Sequence, residues 1–154
     1  MAQKAYYVDT SIWLNLFKKE GDPKQGVPYW KIAKDFVDTV MFSKDDQLIY
    51  SGFILKELKF NINNEMFYLD KLTFFENEDK IKFVKATPDD YSFARKLESE
   101  FRYDISFFDC MHIAICKRMN YALVTRDSLL IQHAIKYVEA CTPEKLLPKF
   151  INLK

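Results

Sequence analysis

The sequence predicts an α/β fold, a single-domain, three-layer arrangement with a central, mostly parallel sheet flanked by helices. Three observations carry that expectation. Short β-prone apolar runs recur along the chain at 5–9, 47–51, 81–85 and 122–125. Longer segments with helical periodicity separate them, too long for hairpins and suited to crossovers between parallel strands. With 154 residues, 49% hydrophobic and 16% aromatic, the chain can bury one substantial core, so residues 1–154 are read as one domain.

The elements follow in order. Ala5–Val8 forms the first strand and ends at Asp9. A short helix then covers Ser11–Phe17, and a loop runs over 18–27, punctuated by Gly21, Pro23 and Gly26. From Pro28, placed as a first-turn residue, a helix extends to about Ser43. Its Trp30, Ala33, Phe36, Val37, Val40 and Met41 share a face. Gln47–Ser51 is a second strand. Phe53–Phe60 and Asn63–Phe75 are two helices or one kinked helix, and Ile81–Lys85 is a third strand. Thr87-Pro88-Asp89-Asp90 is a helix start, with a Thr cap, Pro at the first position and acids in the first turn. Another helix spans Ser106–Met119, ahead of the Ala122–Thr125 strand. Short elements are expected at 129–134, 136–139 and 143–147.

Composition narrows the function classes. The net charge is +1, and the halves are nearly balanced: 10 Lys/Arg against 11 Asp/Glu in residues 1–77, then 13 against 11. No basic arm or acidic tail advertises a polyanion, although a local patch can still bind one. Cys110, Cys116 and Cys141 are odd in number and lack zinc-type spacing. The start Met1-Ala2-Gln3-Lys4 has no signal-peptide apolar core, and no stretch approaches membrane-spanning length. The expectation is a cytoplasmic protein with no membrane partner.

The chemistry lies in the carboxylates. Asp9 closes the first strand, with Thr10 and Ser11 beside it, and Asp127 closes Ala122-Leu123-Val124-Thr125-Arg126 in the same manner. Parallel strands share a carboxyl edge where ligands bind, so neighbouring strands would bring these two acids together. Each acid also has a plainer reading as the N-cap of the helix that follows. Asp109 is different. It sits in Ile105–Cys116, which is apolar almost all round, with no Lys or Arg within a turn. A carboxylate buried there needs a partner from elsewhere in the fold, or a metal. Glu57, soon after the second strand, lies on a helix starting at the same sheet edge, although between the two lysines Lys56 and Lys59 it also fits a solvated face. His112, one turn from Asp109, reads as a satisfied core histidine, and Asp104 as a helix-flanking surface residue.

In this order the motifs Val8-Asp9-Thr10-Ser11, Leu55-Lys56-Glu57-Leu58, Phe108–Ala114 and Leu123–Asp127 resemble the PIN domain, most closely the VapC-type toxin ribonucleases. The tail 140–147 also resembles that family's usual ending. The resemblance implies a parallel sheet flanked by helices and divalent-metal-dependent RNA cleavage. It places the catalytic and metal-binding quartet on Asp9, Glu57, Asp109 and Asp127, with Thr10, Ser11 and Thr125 as supporting hydroxyls. It implies Mg²⁺ or Mn²⁺, which suit oxygen-only ligands. It further implies a homodimer, RNA as substrate and a small antitoxin protein as inhibitor. Arg126, Lys56 and Lys59, with Lys18 and Lys19, are the candidates for phosphate contact, Arg126 having the alternative of pairing with a carboxylate.

Three other readings compete. A non-catalytic PIN-fold subunit that binds RNA or protein would not need an intact quartet. A housekeeping RNA-processing nuclease would share the chemistry without the toxin role. A phosphotransfer domain of the haloacid-dehalogenase type needs a second Asp two positions after the first, where this chain has Ser11, and a receiver domain needs an acidic pair and a late Lys that are not convincingly placed.

Overall fold

Four apolar strands that read as nearly continuous Val, Ile, Leu and Tyr runs belong in a sheet covered on both faces. A computed structural model of the chain describes residues 3–21 and 26–147 and forms that sheet. Residues 22–25 of the expected 18–27 loop, including Pro23, lie outside the described residues, as do 1–2 and 148–154.

The order of elements is β1 (Ala5–Val8), α1 (Thr10–Phe17), α2 (Tyr29–Phe42), β2 (Gln47–Ser51), α3 (Gly52–Asn61), α4 (Glu65–Asn77), β3 (Ile81–Val84), α5 (Pro88–Glu100), α6 (Phe107–Met119), β4 (Ala122–Val124), α7 (Ser128–Ala134) and β5 (Ala140–Cys141). A 3-10 turn at Pro143–Leu146 follows. The strands are ordered β3-β2-β1-β4-β5 and every pairing is parallel. β1 is therefore central, with Tyr7 opposite Ile49 on one side and Leu123 on the other.

The choice between two helices and one kinked helix resolves, and the expected helix start at Thr87 forms. Residues 52–77 form two helices, and Asn64 caps the second by accepting from the Phe67 amide at 3.0 Å. The Thr87 start forms a full capping box. Thr87 Oγ1 accepts from the Asp90 amide, and the Asp90 carboxylate accepts from the Thr87 amide. Two expectations need correction. Residues 136–139 are a turn rather than an element, and Ala140–Cys141 pair with β4 as a fifth strand. A two-residue edge strand is too short to show an alternating pattern in sequence.

The core joins the sheet to its helices. Tyr7, Leu48, Leu123 and Val124 are completely buried, as are Ile12, Trp13, Ile54, Met111, Ile113 and Ile115 on the helices. Trp13 packs edge-on to Phe75 at 4.8 Å between centroids, and Tyr50 stacks on Phe75 at 5.0 Å. These rings tie α1 and α4 to the C-terminal half of β2. β3, at the sheet edge, turns Lys82 and Phe83 to solvent, as an edge strand can.

Candidate metal centre

Four elements deliver one acid each to the carboxyl edge of the sheet. Asp9 follows β1, and its amide extends the β1–β4 ladder by donating to the Val124 carbonyl at 2.9 Å. Its backbone occupies the N-cap position of α1, yet its side chain does not cap. Instead Asp9 Oδ2 accepts from Ser11 Oγ at 2.9 Å and from the buried Thr125 Oγ1 at 2.7 Å. A side-chain cap is worth about 1 kcal/mol, and α1 forgoes it. A local rule broken in this way is characteristic of a site held for chemistry.

Asp127, in contrast, does act as a cap. Its Oδ1 accepts from the amides of Leu129 and Leu130, and its own amide donates to Thr125 Oγ1 at 3.1 Å. Thr125 thus braces both strand-end acids. Glu57 lies one and a half turns into α3, which begins directly from β2 at Ser51. Its Oε1 accepts from Thr10 Oγ1 at 2.9 Å and pairs with His112 Nε2 at 2.8 Å. Asp109 is in the first turn of α6, where Ser106 caps by accepting from the Asp109 amide. The apolar helix behaves as its composition dictates: residues 110–116 are all buried, and Asp109 is half-buried at its rim.

The electrostatics follow from this convergence. Burial, together with the charges of Asp9, Glu57 and Asp127, pushes the Asp109 carboxyl up to about 6, against a smaller opposing pull from His112. All three other acids therefore act on Asp109. Burial works to raise the Glu57 pKa too, but the hydrogen bond and charge of His112 and the Thr10 hydroxyl outweigh it and hold Glu57 below the ordinary range. His112 is completely buried, which works to lower its pKa. The bond to Glu57 and the charges of Glu57, Asp9 and Asp109 prevail and raise it.

The donor set fits a hard divalent cation. Among the described residues, Asp9 Oδ1, Glu57 Oε2, Asp127 Oδ2 and both carboxylate oxygens of Asp109 have no hydrogen-bond partner, while the other oxygen of Asp9, Glu57 and Asp127 is anchored by protein donors. Asp9, Glu57 and His112 present ligand-type atoms within 4.8 Å of one another. Asp109 and Asp127 lie outside that group, and Asp109 feels the charges of His112, Asp9, Glu57 and Asp127.

Several sequence candidates have other engagements. Arg126 makes a two-pronged ion pair with Glu144 at 2.8 and 2.7 Å, donates to Asn15 and lies 4.0 Å from the Tyr29 ring centroid. Lys18 donates to the Asn61 carbonyl at the end of α3. Lys56 and Lys59 are exposed, Lys56 lying over the Phe53 ring. Asp104 is at the surface against His133 at 2.7 Å. The site residue that the sequence undervalued is His112. Its spacing from Asp109, three residues along one helix, was the available signal.

A profile of the PIN domain matches residues 6–136. The chain belongs to the PIN domain family. Solved PIN-fold structures align over nearly all of it. VapBC2 from Rickettsia felis, bound to a promoter DNA fragment, is 14% identical with a TM-score of 0.68, and the alignment covers 90% of this chain and 98% of that one. VapC20 from Mycobacterium tuberculosis, a Sarcin-Ricin loop cleaving toxin, is 20% identical with a TM-score of 0.63, covering 87% and 97%. PAE2754 from Pyrobaculum aerophilum is 15% identical with a TM-score of 0.59, covering 97% and 98%. No curated protein matches the chain. At these identities the likeness speaks for a shared PIN fold. Among the described residues, no helix is long and apolar enough to cross a membrane.

Proposed function

We propose that this PIN-domain protein is a Mg²⁺- or Mn²⁺-dependent endoribonuclease, the toxin of a toxin–antitoxin pair, with Asp9, Glu57, Asp109 and Asp127 as its catalytic metal-binding acids. The observation that supports the reading is the gathering of ligand-type atoms of Asp9 and Glu57, with His112, within 4.8 Å, next to an Asp109 carboxyl that feels the charges of Asp9, Glu57 and Asp127. Without a cation such a cluster repels both itself and a phosphodiester. A bound divalent ion supplies the positive charge that admits phosphate and favours ionisation of water.

The chain's own contribution is orientation. Ser11 and Thr125 fix Asp9, Thr10 and His112 fix Glu57, and the Leu129 and Leu130 amides fix Asp127. Burial and the neighbouring acids raise the Asp109 carboxyl to about 6, so its ionisation would be coupled to cation binding. Lys56 and Lys59 remain available for backbone phosphates, in a sequence-independent and salt-sensitive manner. Arg126 is committed to Glu144 and serves the framework.

The antitoxin reading is supported by neighbours solved as toxin–antitoxin complexes, among them one from Klebsiella pneumoniae. Phe60 and Met66, 85% and 76% exposed near the α3–α4 junction, offer apolar surface for a second copy and fit a homodimer, and an RNA substrate fits a cytoplasmic protein. The purified protein should cleave single-stranded RNA with Mn²⁺ and stop with EDTA, and Asp9→Asn should abolish cleavage. Equal activity from Asp9→Asn and wild type would remove the catalytic assignment. Light scattering tests the dimer, and co-purification with the product of an adjacent short gene tests the antitoxin.

A further inference from the structure

Behind Glu57 runs a buried polar chain that the proposed chemistry does not use. Ser51 Oγ lies 2.6 Å from Tyr7 Oη, and Tyr7 Oη lies 2.6 Å from His112 Nδ1. His112 Nε2 then meets Glu57 Oε1 at 2.8 Å. Ser51, Tyr7 and His112 are all completely buried, on β2, β1 and α6. Three polar side chains in the centre of the core are costly to desolvate unless every one is satisfied. Here each is, and the chain ends on a candidate metal ligand.

We propose that His112, backed by Tyr7 and Ser51, is a positioning residue that fixes Glu57 so that Oε1 stays with the protein and Oε2 faces the ion. This rests on the metal-site reading above. Hydrogen-bond arithmetic favours positioning over direct ligation. With Nε2–H donating to Glu57, Nδ1 of the neutral ring accepts from the Tyr7 hydroxyl, and that hydroxyl accepts from Ser51. In the imidazolium, Nδ1–H donates to Tyr7, which donates to Ser51. In both forms Nε2 carries a proton and has no lone pair to offer a cation. His112 Nε2 is also 3.9 Å from Asp9 Oδ1, so its N–H lies close to both acids. Thr10 supplies the second donor to Oε1, so rotation of the carboxylate would break two bonds at once.

The test is Mn²⁺ affinity of the intact protein, measured by electron paramagnetic resonance and calorimetry, alongside thermal unfolding. His112→Leu should weaken Mn²⁺ binding about 10- to 100-fold, the usual effect of losing a hydrogen-bond partner of a metal ligand. His112→Gln, whose side-chain amide can still donate to Glu57, should recover most of it. Tyr7→Phe, which removes one hydroxyl and keeps the ring, should give a smaller loss, on the order of a few-fold. Folded His112→Leu that binds Mn²⁺ as tightly as wild type overturns the proposal. So does a directly coordinated imidazole nitrogen in the electron spin echo spectrum of wild-type protein with Mn²⁺. If His112→Leu does not fold, Tyr7→Phe decides, and wild-type affinity there overturns the proposal. Asp9→Asn separates the levels. Wild-type protein that fails to bind Mn²⁺, or Asp9→Asn that binds it normally, defeats the metal site itself. Binding lost in Asp9→Asn but untouched in the His112 and Tyr7 variants defeats only the positioning role.

Discussion

Replacing Asp109 with asparagine should make the metal-free protein more stable and the metal-loaded protein less so. Burial and the charges of Asp9, Glu57 and Asp127 raise the Asp109 carboxyl from 3.8 to about 6. That is about two units, and each corresponds to ~1.4 kcal/mol, so ionised Asp109 opposes folding by at most about 3 kcal/mol. Asp109 is only half-buried, and water at its outer edge screens part of this, leaving on the order of 1–2 kcal/mol. The native pKa lies above the unfolded value, so the native state holds the proton longer. The penalty is absent below about pH 4, grows between 4 and 6, and is complete above. A neutral side-chain amide at this position would carry no such penalty. In EDTA, Asp109→Asn should therefore match wild type near pH 4 and exceed it at pH 7.5. At this chain length the gain corresponds to a rise in Tm of about 2–8 °C. Saturating Mn²⁺ should invert the ranking, because a ligand at a hundredfold its Kd stabilises wild type by about 2.7 kcal/mol and the variant binds it poorly. Urea melts at the two pH values, with and without Mn²⁺, provide the measurement. A variant no more stable than wild type at pH 7.5 in EDTA, or equally stabilised by Mn²⁺, would refute the reasoning.

Three further outcomes are expected. Arg126→Met should lower stability by roughly 2 kcal/mol in urea, since it strands the half-buried Glu144, while Mn²⁺ affinity by calorimetry stays at the wild-type level. Asp90→Ala should cost about 3 kcal/mol by the same melt. It removes the capping-box acceptor and leaves Arg118 without the carboxylate that it contacts at 2.9 and 3.0 Å. Asn120→Ala should cost about 1 kcal/mol, read as a lower Tm, because Asn120 ends α6 in a left-handed conformation with φ of 57° that alanine resists.

Local signals announced most of the architecture. The β1, β2, β3 and β4 runs, the Thr87 capping box and the apolar α6 are each written in a few adjacent residues. Strand order is not, because only the folded chain reveals that β1 lies between β2 and β4. At the site, Asp9 and Asp127 share one sequence context and have different side-chain roles. The second caps its helix, while the first is drawn off its cap by Thr125, a residue remote in sequence. Arg126 reads in sequence as either a phosphate contact or a carboxylate partner, and the fold supplies the carboxylate from Glu144, remote along the chain, with the Tyr29 ring beside it. His112 reads correctly as buried. That its Nε2 partner is Glu57, rather than a backbone carbonyl, depends on how α3 and α6 meet.

The central position of β1 also sets when the site can exist. The Thr125 hydroxyl that orients Asp9 is 116 residues away along the chain. β1 can pair with β2 early in synthesis, but its other flank stays open until β4 has left the ribosome. Contacts of such range close late, after the shorter-range pairings. A nascent chain therefore carries scattered acids and no cluster until the β4 segment has been made and has docked beside β1.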